Sequence, residues 1–283
     1  MVVDKNEISL SGVIGDPIAH SKSPLIQNFW IKKNKLEGYY IPIRIPKGEI
    51  KKKIRFVKEL GFRGLNVTVP HKVDAFYLAD KLTMEAKRVG AVNTLYFEDG
   101  LIIGDNTDTF GFKTCILRNF PFYNFKKEKV LVYGAGGAAR AILSVFVNEK
   151  TSEIRLINRS KERAIELKEV FSDSIKVFDW KNNNEALDGV TTVINTTSLG
   201  NLGNEPFSHT LKGVKKNAVG VDLVYNPLET SFMKIAKKEN INCINGLDML
   251  VYQAMPGFKR WFKKKPVYSK ELRELLEISL LRR

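Results

Sequence analysis

An apolar run, Val130-Leu131-Val132-Tyr133, is followed at once by Gly134, Ala135, Gly136, Gly137, Ala138, Ala139 and Arg140. That order is a dinucleotide fingerprint. Gly134 allows a tight turn after a strand, Gly136 lets the backbone approach a pyrophosphate, and Ala139 keeps the next helix close to the strand. The helix N-terminus then offers amides and positive potential to phosphate. The next apolar run, Ile154-Arg155-Leu156-Ile157, should end in an acid if it is to hold a free ribose 2′-hydroxyl, but Asn158, Arg159 and Ser160 stand there, with Arg163 one turn on. A guanidinium pairs with a 2′-phosphate through charge-assisted hydrogen bonds, whereas a carboxylate repels it. The expected cofactor is therefore NADP rather than NAD, and the expected chemistry is hydride transfer.

Polar side chains also gather where apolar runs end in the first half of the chain. The clusters are Ser21-Lys22-Ser23-Pro24, Asn66-Val67-Thr68-Val69-Pro70-His71-Lys72, Gly90-Ala91-Val92-Asn93-Thr94 and Gly104-Asp105-Asn106-Thr107-Asp108. Any one of them reads equally well as a helix cap or a turn, because Ser, Asn, Thr and Asp satisfy nearby backbone groups.

Taken in order, ahead of the glycine fingerprint, these clusters resemble the shikimate dehydrogenase family. The resemblance continues through Ile194-Asn195-Thr196-Thr197-Ser198, Asp222-Leu223-Val224-Tyr225-Asn226-Pro227 and Gly246-Leu247-Asp248-Met249-Leu250-Val251-Tyr252-Gln253, nearly end to end. It implies the reversible NADPH-dependent reduction of 3-dehydroshikimate to shikimate, a step of aromatic amino-acid biosynthesis, in a cleft between a substrate domain and a Rossmann domain. The matching positions imply that Ser21, Ser23, Thr68, Asn93, Asp108 and Gln253 bind substrate, with Asn66 and Tyr225 nearby. Lys72 and Asp108 are the implied catalytic pair: hydride arriving at a ketone carbon leaves negative charge on oxygen, which an ammonium can stabilise and then protonate. Cofactor contacts are expected from Gly134, Ala135, Gly136, Gly137, Ala138, Asn158, Arg159, Ser160 and Arg163, with Leu223 and Gly246 around the nicotinamide and Thr196 beside it. Two positions depart from the family: Gln27 where His is frequent, and His71, expected as a neutral surface side chain, where an aromatic is common. A quinate-oxidising relative using NAD would be better suited by an acid in place of Asn158-Arg159.

The elements that must carry these residues follow from pattern. Apolar runs alternate with helix-like stretches, so an α/β fold is expected, with an N-terminal α/β substrate domain and a Rossmann-like doubly wound NADP-binding domain. Strands are expected at 8–15, 39–45 and 64–70, and a hairpin around Asp99-Gly100. A helix is expected from Asp108 to Asn119, then five βα strands at 130–133, 154–157, 175–178, 192–194 and 218–221, then a helix from Met249 to Phe262. The domains are expected at 1–108, 109–245 and 246–283, the last as helices packing back on the cleft and the N-terminal domain.

Composition narrows the setting. A chain of 283 residues, 43% hydrophobic and 27% charged, can bury a full core. Two cysteines, Cys115 and Cys243, have no partner spacing, and His20 and His209 have no ligand neighbours, so no metal and no disulfide framework is expected. Asp4, Lys5, Asn6 and Glu7 interrupt the first ten residues, which therefore lack the apolar stretch of a signal peptide; no membrane span is visible either. A cytoplasmic protein, monomeric or homodimeric, is expected. The net charge of +15 invites nucleic acid, but the lysines come in short dispersed runs, as solvated faces do. No nucleic acid and no membrane partner is expected, and the positive field suits anionic small molecules.

Overall fold

The computed structural model describes residues 8–181 and 183–281; the first seven residues, read above for a signal peptide, lie outside them. The chain forms two compact units. The first runs to Gly111 and resumes over Leu250–Ser279, and the second takes Phe112–Met249.

In the first unit the order is β1 (Ser9–Gly15), α1 (Ser23–Lys33), β2 (Gly38–Arg44), α2 (Ile50–Glu59), β3 (Phe62–Val67), α3 (Lys72–Leu78), β4 (Lys81–Leu82), α4 (Met84–Val89), β5 (Thr94–Glu98) and β6 (Leu101–Asp105). The strands lie side by side as β2-β1-β3-β5-β6-β4. β1 pairs parallel with β2 and β3, while β5 pairs antiparallel with β3 and β6. The β5–β6 turn is made by Asp99 and Gly100 at φ +50° and +74°, the two left-handed residues that a two-residue hairpin loop demands. Ile14, Ile54, Leu65, Val92 and Leu95, all buried, form the core against the sheet. β3 is shorter than the sequence suggests. It stops at Val67 because Pro70 can donate no ladder bond, and Thr68–His71 instead close a turn through His71 N to Thr68 O at 3.0 Å. That turn delivers Lys72 to the first position of α3.

The chain passes to the second unit along α5 (Asp108–Asn119). There follow β7 (Lys129–Tyr133), α6 (Gly137–Asn148), β8 (Glu153–Ile157), α7 (Lys161–Phe171), β9 (Ile175–Phe178), α8 (Asn183–Leu187), β10 (Thr192–Asn195), β11 (Val219–Asp222), α9 (Ser231–Lys238) and β12 (Asn242–Ile244). The sheet order β12-β11-β10-β7-β8-β9 is parallel throughout. Counted from β7 this is the 3-2-1-4-5-6 order of a dinucleotide-binding sheet, whose ligand crevice opens where the order reverses, here between β7 and β10. The sixth strand, β12, escapes the sequence pattern because three residues carry no period. α10 (Leu247–Phe262) returns the chain to the first unit, and α11 (Lys270–Leu281) follows. Among the described residues no helix is long and apolar enough to cross a membrane.

Candidate active site

Three element ends meet in the first unit. Lys72 opens α3 and Asp108 opens α5. Asn93 is the last residue before β5, its backbone fixed by Asn93 N to Asp105 O at 3.1 Å. Val92 N donates to Lys72 O at 2.8 Å, which holds the start of α3 against the start of β5.

On this frame the Lys72 Nζ donates to Asp108 Oδ2 at 2.5 Å, with side chains only 15% and 8% exposed. Opposite charges this far out of water depend on each other, because only at such close range does their attraction offset the loss of hydration. Asp108 Oδ1 accepts from Asn93 Nδ2 at 2.8 Å. The same Nδ2 lies 3.2 Å from Gln253 Oε1 and 3.0 Å from Thr107 Oγ1. Thr107 in turn donates through Oγ1 to the Gln253 carbonyl at 2.7 Å. Thus Lys72, Asn93, Asp108 and Gln253 form one polar cluster, with Asn93 and Asp108 buried and Lys72 and Gln253 half-buried. Asn66 adjoins it through Nδ2 to Thr94 Oγ1 at 3.1 Å.

The remaining residues expected to meet substrate lie on other elements. Ser23 is buried, with its hydroxyl beside the Tyr40 hydroxyl, and Ser23 N donates to Ser21 Oγ at 3.3 Å. Thr68 is anchored by its amide to Ile14 O at 2.9 Å. Tyr225 belongs to the second unit, on the loop after β11. His71 is a correction: it is fully buried rather than on the surface. Its Nε2 donates to Ile45 O at 2.6 Å, because the turn that presents Lys72 points the neighbouring side chain inward. Tyr40, Thr94 and Thr107 were not picked out from sequence. Thr94 and Thr107 sit inside polar clusters that signalled them; Tyr40, outside every such cluster, gave no signal.

In the second unit, Gly134 has φ +106°, and a Cβ there would fall 2.6 Å from Thr196 Oγ1. Thr196 Oγ1 is itself pinned to Tyr133 O at 2.6 Å, so this wall does not yield. A Cβ on Gly136 would meet nothing within 4 Å. Backbone is therefore open to a ligand at the residue that caps α6. Asn158 secures the loop from β8, its Oδ1 accepting from Ala135 N at 3.1 Å and its Nδ2 donating to Ser160 O at 2.7 Å. Arg159 and Arg163 are exposed beyond it. Leu223 and Gly246 come together, since a Cβ on Gly246 would stand 2.1 Å from Leu223 O. A further device was not foreseen. Asp222 Oδ1 accepts from Asn195 Nδ2 at 2.8 Å and Val224 N at 3.0 Å, and Asn195 Oδ1 holds Thr197 N at 3.0 Å. Burial pushes the Asp222 carboxyl up to about 6. An open glycine backbone at a helix N-terminus, with exposed guanidinium groups at the end of the next strand, fits a phosphorylated dinucleotide.

The chain is similar to known proteins along nearly its whole length. Residues 13–95 match the shikimate dehydrogenase substrate binding domain, and residues 116–242 match the shikimate / quinate 5-dehydrogenase family. A shikimate dehydrogenase (NADP(+)) of Ruegeria sp. strain TM1040 is 40% identical over 273 residues, covering 96% of this chain and 99% of that one. The crystal structure of shikimate dehydrogenase from Aquifex aeolicus superposes with a TM-score of 0.86 at 36% identity, covering 99% of this chain and all of that one. A Thermus thermophilus shikimate 5-dehydrogenase, solved in complex with NADP(H) and shikimate, gives 0.83 at 30% identity, covering 96% of this chain and 100% of that one.

Proposed function

This chain belongs to the shikimate dehydrogenase family, and we propose that Lys72 and Asp108 carry the proton-transfer half of its reaction, the reversible NADPH-dependent reduction of 3-dehydroshikimate to shikimate. The observation that supports this assignment is the Lys72–Asp108 pair at 2.5 Å inside a largely buried polar cluster. The hydride is supplied by NADPH when it is bound. As the ketone carbon accepts it, the substrate oxygen takes up negative charge. The Lys72 ammonium stabilises that oxygen and gives it a proton from Nζ, so the ketone becomes an alcohol. In the oxidation direction the neutral Lys72 amine takes the proton back.

Asp108 orients Lys72 and keeps a lone pair on each oxygen for a substrate hydroxyl. Asn93, Gln253, Ser21, Ser23 and Thr68 bind the rest of the substrate. Tyr225 is the substrate contact expected of the second unit. The first unit is thus the substrate domain and the second the NADP domain, with the Gly134 to Ala138 loop on the pyrophosphate and Arg159 and Arg163 on the 2′-phosphate. Thr196, Leu223 and Gly246 border the nicotinamide.

The test is formation of reduced nicotinamide by purified protein, with shikimate and quinate crossed against NADP and NAD. Turnover confined to shikimate with NADP is expected. Comparable turnover with quinate or NAD would move the protein to the broader branch of the family, and silence in all four pairs would overturn the catalytic assignment.

A further inference from the structure

Behind Lys72 and Asp108 runs a series of hydrogen bonds whose direction is fixed from one end to the other. Burial pushes the Tyr40 phenol well above its usual range, so the hydroxyl keeps its proton. Facing the Asn66 Oδ1 carbonyl at 2.6 Å, it can only donate. With Oδ1 so engaged, Asn66 turns Nδ2 to Thr94 Oγ1 at 3.1 Å and to the Asn93 carbonyl at 3.4 Å. Thr94 accepts there and passes its own hydrogen to Asn93 Oδ1 at 2.9 Å, where Thr107 N also donates at 2.8 Å. Asn93 is left with Nδ2 on Asp108 Oδ1 and Gln253 Oε1. The reverse flip of that amide would set oxygen against oxygen at both places.

Tyr40, Asn66 and Thr94 are 1%, 5% and 0% exposed, so water cannot stand in for a missing partner. We infer that these three are positioning residues: they hold the Asn93 amide on Asp108, and through it hold the carboxylate on Lys72 Nζ before substrate arrives. The inference rests on the assignment of Lys72 and Asp108 made above. It gives Asn66 a positioning part beside its expected place near the substrate. It also joins Ser23, next to the Tyr40 hydroxyl, to Asp108 at the far end of the same series.

Tyr40→Phe removes one buried oxygen and leaves the ring. In the full-length enzyme with shikimate and NADP, kcat should fall about 3- to 30-fold, with KM for NADP unchanged. Thr94→Val breaks the next link with little change of shape and should reproduce the loss; it serves alone if Tyr40→Phe does not fold. A purely structural part would lower Tm and leave kcat intact, which would overturn the inference. The effect should also vanish in an Asn93→Ala background, since the relay acts through that amide. Equal fold losses in both backgrounds would overturn it. Lys72→Ala in the same assay separates the two levels: surviving turnover there overturns the catalytic assignment, whereas lost turnover with an unaffected Tyr40→Phe overturns the relay alone.

Discussion

Lys72 and Asp108 stand 36 residues apart, each at the first position of a helix, and their charged atoms meet at 2.5 Å. The two helix starts are brought together by β3, β5 and β6 lying side by side. In the proton transfer proposed for Lys72, an ammonium held this way is already oriented, which lowers the entropy cost of reaching the transition state.

Replacement of Lys72 by Ala should therefore act on the chemical step. We expect kcat to fall about 10²- to 10⁴-fold with little change in KM for shikimate. Steady-state kinetics decide this, and near wild-type kcat would remove Lys72 from proton transfer.

Arg159 is exposed at the end of β8, where the ribose 2′ position of a bound dinucleotide is expected. Arg159→Ala should raise KM for NADP about 10- to 100-fold, the size of one charged hydrogen bond, while KM for NAD barely moves. Equal changes for both cofactors would count against a 2′-phosphate contact.

The two glycines of the turn should respond differently. Gly134→Ala forces a Cβ to 2.6 Å from Thr196 Oγ1 at φ +106°, so a stability loss of about 1–3 kcal/mol is expected by thermal melting. Gly136→Ala meets nothing within 4 Å. Its melting temperature without cofactor should hold, while KM for NADP should rise because the methyl enters the space where phosphate is expected. If Gly136→Ala left NADP kinetics untouched, the phosphate would not approach there.

Asp222 offers a pH signature. Its carboxyl is pushed up by burial to about 6 from 3.8, so the folded state holds a proton that the unfolded state releases. The stabilisation from that proton is fully present below about pH 4 and is lost as pH rises through about 6. The shift is worth about 3 kcal/mol. Asp222→Asn cannot titrate, so its stability relative to wild type should improve as pH climbs from 4 to 6 and level off above. Denaturant melts across that range test it; a constant difference would show that Asp222 does not titrate in the window.

Local demands were legible in the sequence. The Gly134 turn, the two left-handed residues at Asp99 and Gly100, the βα alternation and the Asn158-Arg159 pair each depend on neighbours within a few positions, where residue type alone restricts backbone or charge. The polar clusters marked Lys72, Asn93 and Asp108, and the Gly246–Gln253 stretch marked Gln253, through family resemblance. Only the tertiary structure decided which atoms meet: Asn93 reaches Gln253 across 160 positions, Tyr40 stands on Asn66 from a strand outside the polar clusters, and His71 turns inward. Such partners are set by strand order and by the return of α10 to the first unit. A hydrogen bond needs atoms within about 3 Å, and no short-range pattern specifies which distant strand supplies them.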